Sequence, residues 1–373
     1  MKVLVTGSQG FIGKNLCLRL KELGHEVFGF DLNDDLDALR RDVAQCDFIV
    51  HLAGINRPLD PREFHDGNVN FTVRLLDIVE QADSKVPILF ASSTQAALDN
   101  PYGRSKKEAE DYLFEFGKKH GNSLFVTRFY NVFGKWCRPH YNSVVATFCY
   151  DIARGEPIQV NEAAPKIDFI YIDDLVRWIV KTINGEIAPS VSEILYAEPH
   201  YSKTPKEIAE ALYAFKETRK THMTPDLGDP FLKDLYSTYL SYLPEDEFSY
   251  PLDMHIDHRG SFTEILKTLE HGQISVNVGK PGIVKGNHYH HTKNEKYLVV
   301  HGTCEIRFRK IGSHDIITYR CSDKKLEVVD IPPGYTHCIE NVGKEDSVTL
   351  MWANELYDPK NPDTFYCPVE EKQ

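Results

Sequence analysis

The sequence predicts two domains of different class: a doubly wound parallel α/β unit over residues 1–245 and an all-β barrel or jelly roll over residues 246–373. Three observations predict this. The first half alternates short apolar runs with helical patterns. From Met254 onward, short strand-like runs broken by Gly, Pro and Asp take over, with no helical period between them. The length of 373 residues also exceeds one ordinary core.

Val3–Thr6 reads as a strand, Gly13–Leu23 as a helix stopped by Gly24, and Val27–Asp31 as a second strand. Phe48–Ala53, Ile88–Ser92 and Leu124–Arg128 follow as strands with amphipathic segments between them. Such alternation implies right-handed crossovers and a parallel sheet with helices on both faces. In the second half Gln273–Val278, Lys296–Val300, Thr303–Arg309, Leu326–Ile331 and Ser347–Trp352 read as strands. Phe231–Tyr250, rich in Tyr and Leu, reads as a packed connection rather than a loose tether.

The net charge of −12 argues against a general binder of nucleic acid or anionic membrane. No uncharged apolar run reaches the ~18 residues of a membrane span. The start, Met1-Lys-Val-Leu-Val-Thr-Gly7, runs directly into a strand and lacks the apolar core and cleavage site of a signal peptide, so a cytoplasmic location is expected. Eight cysteines include no C-x-x-C pair, which disfavours a zinc ribbon or a disulfide scaffold and predicts reduced structural thiols.

Gly7-Ser-Gln-Gly10-Phe11-Ile12-Gly13 follows a strand and opens a helix. Glycines there let backbone N–H groups approach a pyrophosphate, and the helix N-terminus adds partial positive charge. This is the fingerprint of a Rossmann-type dinucleotide site. Asp31, about 20 residues further on, stands where an acidic side chain accepts from a ribose 2′-hydroxyl, which by itself favours NADH over NADPH. Tyr102-Gly-Arg-Ser-Lys106 puts a phenol and an ammonium on one helix face. The lysine is expected to lower the phenol's pKa and make it a usable acid or base. Ser93, with Thr94 as second choice, is the candidate hydroxyl to hold a substrate carbonyl.

These features resemble the extended short-chain dehydrogenase/reductase family that acts on nucleotide-activated sugars. The matching segments are the glycine triplet, His51-Leu52-Ala53-Gly54, Ser92-Ser93, Tyr102/Lys106, Arg128-Phe-Tyr-Asn131-Val-Phe-Gly134 and Asp168-Phe-Ile-Tyr-Ile-Asp173-Asp174. The resemblance implies a Ser93/Tyr102/Lys106 catalytic set. It implies NAD(P) held by Gly7, Gly10, Phe11, Ile12, Gly13, Asp31, Leu52, Ala53, Tyr102 and Lys106. It also implies that the region around Asn131 and Asn142 to Ala146 faces the sugar nucleotide. Two departures stand out. Ser93 and Tyr102 are only nine residues apart, a shorter loop than the family usually has. Thr94-Gln95-Ala96 stands where the family's dehydratases carry an Asp-Glu pair, so dehydration is disfavoured and ketone reduction favoured.

The second half carries Gly282-x5-His288-x-His290-x4-Glu295-x6-Gly302 and Pro332-x-Gly334-x2-His337-x3-Asn341. Histidines one residue apart share a strand face. With Glu295 after a short turn and His337 from an antiparallel partner, three imidazoles and one carboxylate converge on one divalent ion. Zinc is the default; iron, manganese and nickel also fit. His291, alternate in the strand, is expected to point outward. The spacing matches the two cupin motifs, except that the second lacks its leading glycine. Asp257-His-Arg259-Gly260-Ser-Phe262-Thr-Glu264, with Pro281-Gly-Ile-Val-Lys285-Gly-Asn-His288, resembles the cupin-fold deoxysugar 3,5-epimerases. In those the arginine-glycine strand contacts the nucleotide-sugar, which points to Arg259. Their base histidine falls at His288, here a metal ligand, so Lys285, Glu264 or a metal-bound water is left to move the proton.

Taken together, nearly the whole chain resembles the bifunctional capsular polysaccharide synthesis enzymes of the UDP-N-acetyl-L-fucosamine pathway. That resemblance implies a UDP-2-acetamido-2,6-dideoxy-4-hexulose substrate, epimerised at C3 by the cupin and reduced at C4 by the first domain to a 6-deoxy-talose derivative. It also implies zinc, NADPH and a homodimer. NADPH conflicts with Asp31 unless Arg40 or Arg57 meets the 2′-phosphate. Two rival functions remain: a reductase whose cupin is a structural or dimerisation module, and a non-catalytic nucleotide-sugar sensor.

Overall fold

The computed structural model describes all residues except 59, 61, 191 and 371–373. The chain divides into two compact units: Met1–Tyr213 with Lys233–Pro244, and Ala214–Leu232 with the chain from Glu245 onward.

The first unit holds a parallel sheet of β1 (Lys2–Thr6), β2 (Glu26–Phe30), β3 (Phe48–His51), β4 (Ile88–Ser93), β5 (Leu124–Phe129) and β8 (Leu195–Tyr196), in the order β2-β1-β3-β4-β5-β8. A second, three-stranded sheet joins β6 (Asn131–Phe133), β7 (Ile167–Tyr171) and β9 (Tyr201–Lys203). The helices are α1 (Phe11–Glu22), α2 (Leu36–Val43), α3 (Phe71–Gln81), α4 (Pro101–His120), α5 (Val144–Arg154) and α6 (Ile172–Ile183). Side chains alternate across a strand, so a sheet covered on both faces needs apolar residues at nearly every position. Val3, Val5 and Val50 pack with Leu16 of α1 and Ile179 of α6. The intervening Leu4 and Ile49 pack with Leu39 of α2, Val79 of α3 and Leu113 of α4. The strand order reverses between β1 and β3, and ligands of such sheets bind beyond the strand C-termini at that point.

Helix α1 starts at Phe11, two residues earlier than the apolar pattern predicts. Gly10 is extended (φ −72°, ψ 173°) and serves as the N-cap, its carbonyl accepting from Lys14 N at 2.9 Å. Gly13 therefore lies inside the first turn. A Cβ there would stand 2.1 Å from the Gly7 carbonyl oxygen, so only glycine lets helix and loop close together.

The second unit is all-β apart from the helical segment it takes from residues 214–232. One sheet runs β10 (Met254–Asp257), β11 (Gly260–Thr268), β12 (Gly272–Gly279), β19 (Ser347–Ala353), β14 (Glu295–His301), β17 (Val328–Ile331). The other runs β16 (Ile316–Ser322), β15 (Thr303–Lys310), β18 (Tyr335–Asn341), β13 (Val284–Tyr289), β20 (Phe365–Tyr366). Val299, Ile306, Phe308, Ile331 and Ile339 from both sheets form its core. Residues 222–224 join this unit through the backbone: Lys267 N donates to His222 O and Thr224 N to Lys267 O, each at 2.8 Å. The segment Phe231–Tyr250 includes helix α8 (Pro230–Leu240), which follows α7 (Pro205–Thr221). Phe231, Leu235, Tyr239, Tyr242 and Leu243 are buried, whereas Phe248 and Tyr250 are exposed. No described helix is long and apolar enough to cross a membrane.

One buried ionic network ties three elements of the first unit. The Glu110 carboxylate of α4, fully buried, accepts from Ser92 Oγ of β4 at 2.5 Å and from Arg128 Nε and a terminal guanidinium nitrogen of β5 at 2.8 Å each. Removing one partner of such a pair leaves a charge without compensation. Glu110→Ala should destabilise the protein by about 3–5 kcal/mol in urea unfolding. A loss under about 1 kcal/mol would show that water replaces the carboxylate.

Candidate active and metal-binding sites

The glycine loop leads from the C-terminal end of β1 into α1 and lies against the residues that follow β3. Gly7 has φ +72°, and a Cβ on it would meet Ala53 N at 2.9 Å, so Leu52 and Ala53 press against the loop. Ala53 N donates to Thr6 Oγ1 at 3.2 Å. The Asp31 carboxylate accepts from Ser8 Oγ at 2.5 Å and from Gln9 N at 3.1 Å, and so helps hold the loop's shape. Arg40 is ion-paired with Asp37 at 2.6 Å on the exposed side of α2, and Arg57 is exposed in a bend.

Ser93 ends β4 and caps the short helical turn Thr94–Ala97, its hydroxyl accepting from Gln95 N at 3.2 Å. Asn100 caps α4 with Pro101 at its first position, and this sets Tyr102 and Lys106 on the first turns. The Tyr102 hydroxyl is hydrogen-bonded to Ser93. Lys106 is buried; its Nζ donates to Ala91 O at 2.9 Å and lies 4.9 Å from the Phe90 ring centre. Burial lowers the Lys106 pKa to about 8, with Glu110 one turn further opposing the shift. The expected lowering of the Tyr102 pKa by Lys106 is not what this geometry gives. Burial pushes the phenol up, and the hydrogen bond to Ser93 works the other way.

Asn131 is exposed on β6, its amide donating to Asp168 O at 3.2 Å. Asn142 is exposed in the turn before Ser143, which caps α5 by accepting from Ala146 N. Sequence reasoning passed over Asn68, which sits in the π-helical turn His65–Asn70 and carries no periodic signal. Its side chain bridges both backbone groups of Ile55 and the Ser105 hydroxyl. A Cβ on Gly54 would crowd Asn68 Oδ1 at 2.8 Å and Lys106 Nζ at 3.2 Å.

In the second unit, His288 of β13 lies directly across from His337 of β18. His290 follows the end of β13, and Glu295 opens β14. One donor atom from each of these four residues lies within 4.8 Å of the others. Glu295 Oε2 is 3.3 Å from His337 Nε2 and 3.6 Å from His290 Nε2, and it accepts from the Tyr297 hydroxyl at 2.9 Å. His290 Nε2 and both ring nitrogens of His337 are buried without a hydrogen-bond partner. Burial, and then repulsion from His337 and His290, lowers the His288 pKa to about 4, so its ring is neutral with a lone pair to give. Three imidazoles and one carboxylate that converge in a buried site, with ring nitrogens left without a hydrogen-bond partner, fit a divalent cation. His291 stacks its edge against Phe365 at 4.8 Å and is outside the quartet.

The register puts Glu264 opposite Ser275, while Met351 pairs with both Ser275 and Tyr297; this sets Glu264 on the core-facing side of the sheet. Its carboxylate is ion-paired with Lys267 at 2.5 Å, a partner the sequence motif did not flag. Lys285 Nζ donates to Asn277 Oδ1 and Val278 O at 2.8 Å and to Ser261 O at 3.3 Å, so all three ammonium protons are engaged. Arg259 is half-exposed and clasps Asp257 at 2.6 Å.

Residues 3–189 match the NAD dependent epimerase/dehydratase family, and residues 255–365 match the polysaccharide biosynthesis C-terminal domain. The chain is 46% identical over 372 residues to the UDP-2-acetamido-2,6-beta-L-arabino-hexul-4-ose reductase of Pseudomonas aeruginosa, covering 100% of both chains. The crystal structure of the capsular polysaccharide assembling protein CapF from Staphylococcus aureus superposes with a TM-score of 0.93 at 49% identity, over 99% of this chain and 100% of that one. A UDP-glucuronic acid 4-epimerase from Bacillus cereus, at 20% identity and a TM-score of 0.51 over 58% of this chain and 84% of that one, shares the fold of the first part. The chain belongs to the family of capsular polysaccharide synthesis enzymes that join an NAD dependent epimerase/dehydratase domain to a polysaccharide biosynthesis C-terminal domain.

Proposed function

We propose that the protein is a bifunctional nucleotide-sugar enzyme of capsule-precursor synthesis: its cupin unit epimerises C3 of a UDP-2-acetamido-2,6-dideoxy-4-hexulose, and its dinucleotide-binding unit reduces the C4 ketone. The whole-length likeness to a reductase of a hexul-4-ose carries this reading. Two complete side-chain sets, one in each unit, support it.

For reduction, NADPH supplies the hydride when bound. Gly7, Gly10 and the first turn of α1, with Phe11, Ile12 and Gly13, would hold its pyrophosphate, with Leu52 and Ala53 closing the other side. Asp31 keeps its negative charge and spare lone pairs while accepting from Ser8 and Gln9, so NADH stays the alternative hydride donor to the NADPH that the family resemblance favours. Ser93 orients the C4 oxygen and the Tyr102 phenol gives that oxygen its proton, while the Lys106 ammonium favours the phenolate left behind. Asn131 and Asn142 face the sugar nucleotide.

For epimerisation, His288, His290, Glu295 and His337 would hold one divalent ion, zinc by default, which would polarise the C4 carbonyl and so acidify C3–H. A base takes the C3 proton from one face and an acid returns it to the other. Lys285, whose three protons go to neutral acceptors and whose pKa burial lowers, Glu264, ion-paired with Lys267, and a metal-bound water are the candidates to move that proton. Arg259 meets the nucleotide.

Tyr102→Phe should cut C4 reduction at least 100-fold while NADPH binding, read by fluorescence titration, stays within about twofold. Reduction at parental rate in this variant would remove the tyrosine from the mechanism. Because the Lys106 pKa lies near 8, below the ordinary lysine value, its charge is lost as pH rises through 8. The reduction rate at saturating cofactor should therefore fall above that pH with single-proton slope, and a profile flat to pH 10 contradicts the assignment. His290→Ala should abolish solvent-deuterium exchange at C3 but spare reduction of the already epimerised sugar. Persisting exchange would make the cupin a structural module.

A further inference from the structure

We propose that Asp363 positions His290 for metal binding, its main-chain carbonyl fixing the imidazole and its carboxylate fixing the loop that follows. The inference rests on the metal reading of the quartet given above.

His290 donates from Nδ1 to the Asp363 carbonyl oxygen at 2.5 Å. That bond puts the proton on Nδ1 and leaves the Nε2 lone pair free, aimed at the Glu295 carboxylate. His337, by contrast, has neither ring nitrogen hydrogen-bonded. The ring with the fixed tautomer is therefore the one that lies beyond the end of β13, where strand pairing no longer restrains it. An outer hydrogen bond of this kind orients a metal-binding imidazole and raises its basicity.

The carboxylate of the same residue does a second job. It accepts from three successive amides, His291 N at 3.0 Å, Thr292 N at 2.9 Å and Lys293 N at 2.8 Å, and from the Thr292 hydroxyl at 3.1 Å. Those amides form the loop between His290 and Glu295, two members of the quartet. Lys293 Nζ adds a bond to Pro362 O at 2.9 Å. Successive N–H groups around one anion make a rigid nest.

Asp363 has φ +42°, a left-handed conformation that residues with a Cβ adopt at a cost of roughly 1–2 kcal/mol. Surrounding contacts keep it there. Downstream, β20 pairs with β13 at His288 itself (His288 with Tyr366), and Cys367 N donates to Asn287 O at 2.8 Å. The C-terminal segment is thus laid along the strand that carries the first ligand and turned so that one carbonyl meets the second.

The test uses the full chain, Co2+ as a visible probe, and competition against a chelator. The parent should bind one Co2+ with absorption bands of a mixed nitrogen and oxygen site. Asp363→Gly permits the left-handed backbone but removes the carboxylate; it should weaken Co2+ binding about 10–100-fold and shift the bands. Asp363→Asn, which tolerates the same backbone and keeps one acceptor oxygen, should recover part of the affinity. Asp358→Ala, which removes an acceptor for Lys360 N in the same segment, should match the parent. The inference is overturned if Asp363→Gly binds Co2+ with parental affinity and spectrum, or if Asp358→Ala loses as much. A parent that binds no Co2+ overturns the metal reading and this inference with it.

Discussion

A charge or polar atom taken out of water must find a partner, and the two units meet that constraint in opposite ways. In the first, the buried Glu110 carboxylate is satisfied within the chain by Arg128 and Ser92. Glu110 favours the Lys106 ammonium one turn earlier, but burial outweighs it and lowers that lysine's pKa. In the second, His290 and His337 bring buried nitrogens beside Glu295 that no protein group satisfies. A site balanced from within is ready to move protons; a site left with converging lone pairs is ready to hold a cation.

The two chemistries have a common requirement. A ketone at C4 of a hexose makes the hydrogen at C3 acidic and is itself open to hydride. The His/Glu quartet would, on the proposed reading, suit the first property and the Ser, Tyr and Lys cluster would suit the second. On the proposed reading, joining them in one chain shortens the time for which a reactive keto sugar stays between steps. The family's two-part architecture agrees with that logic.

Legibility in the sequence follows the range of the interaction. The parallel sheet and the all-β second half are readable because strand alternation and the loss of helical period are local patterns. Gly7, Gly10 and Gly13, the Tyr102/Lys106 pair and the His288, His290, Glu295 set are local as well, within turns or adjoining strands. What the sequence conceals is set by distance or direction. Arg128 meets Glu110 across 18 residues, and Asp363 reaches His290 across 73. Neither spacing belongs to a helix or strand repeat. Lys285 reads as a free amine until its three acceptors are seen, and the spacing to Tyr102 does not reveal the Ala91 carbonyl that holds the Lys106 ammonium. The residues from 214 to 232 join the second unit through backbone bonds to Lys267, which side-chain patterns do not encode.

The most direct test of a shared ketone is the isotope pattern of one product. The unmodified protein would be given a UDP-2-acetamido-2,6-dideoxy-4-hexulose, unlabelled NADPH and D2O, and the product examined by proton NMR. The account predicts a UDP-6-deoxy-talose derivative carrying solvent deuterium at C3 and protium from the cofactor at C4. A reduced product with undiminished protium at C3 would contradict it.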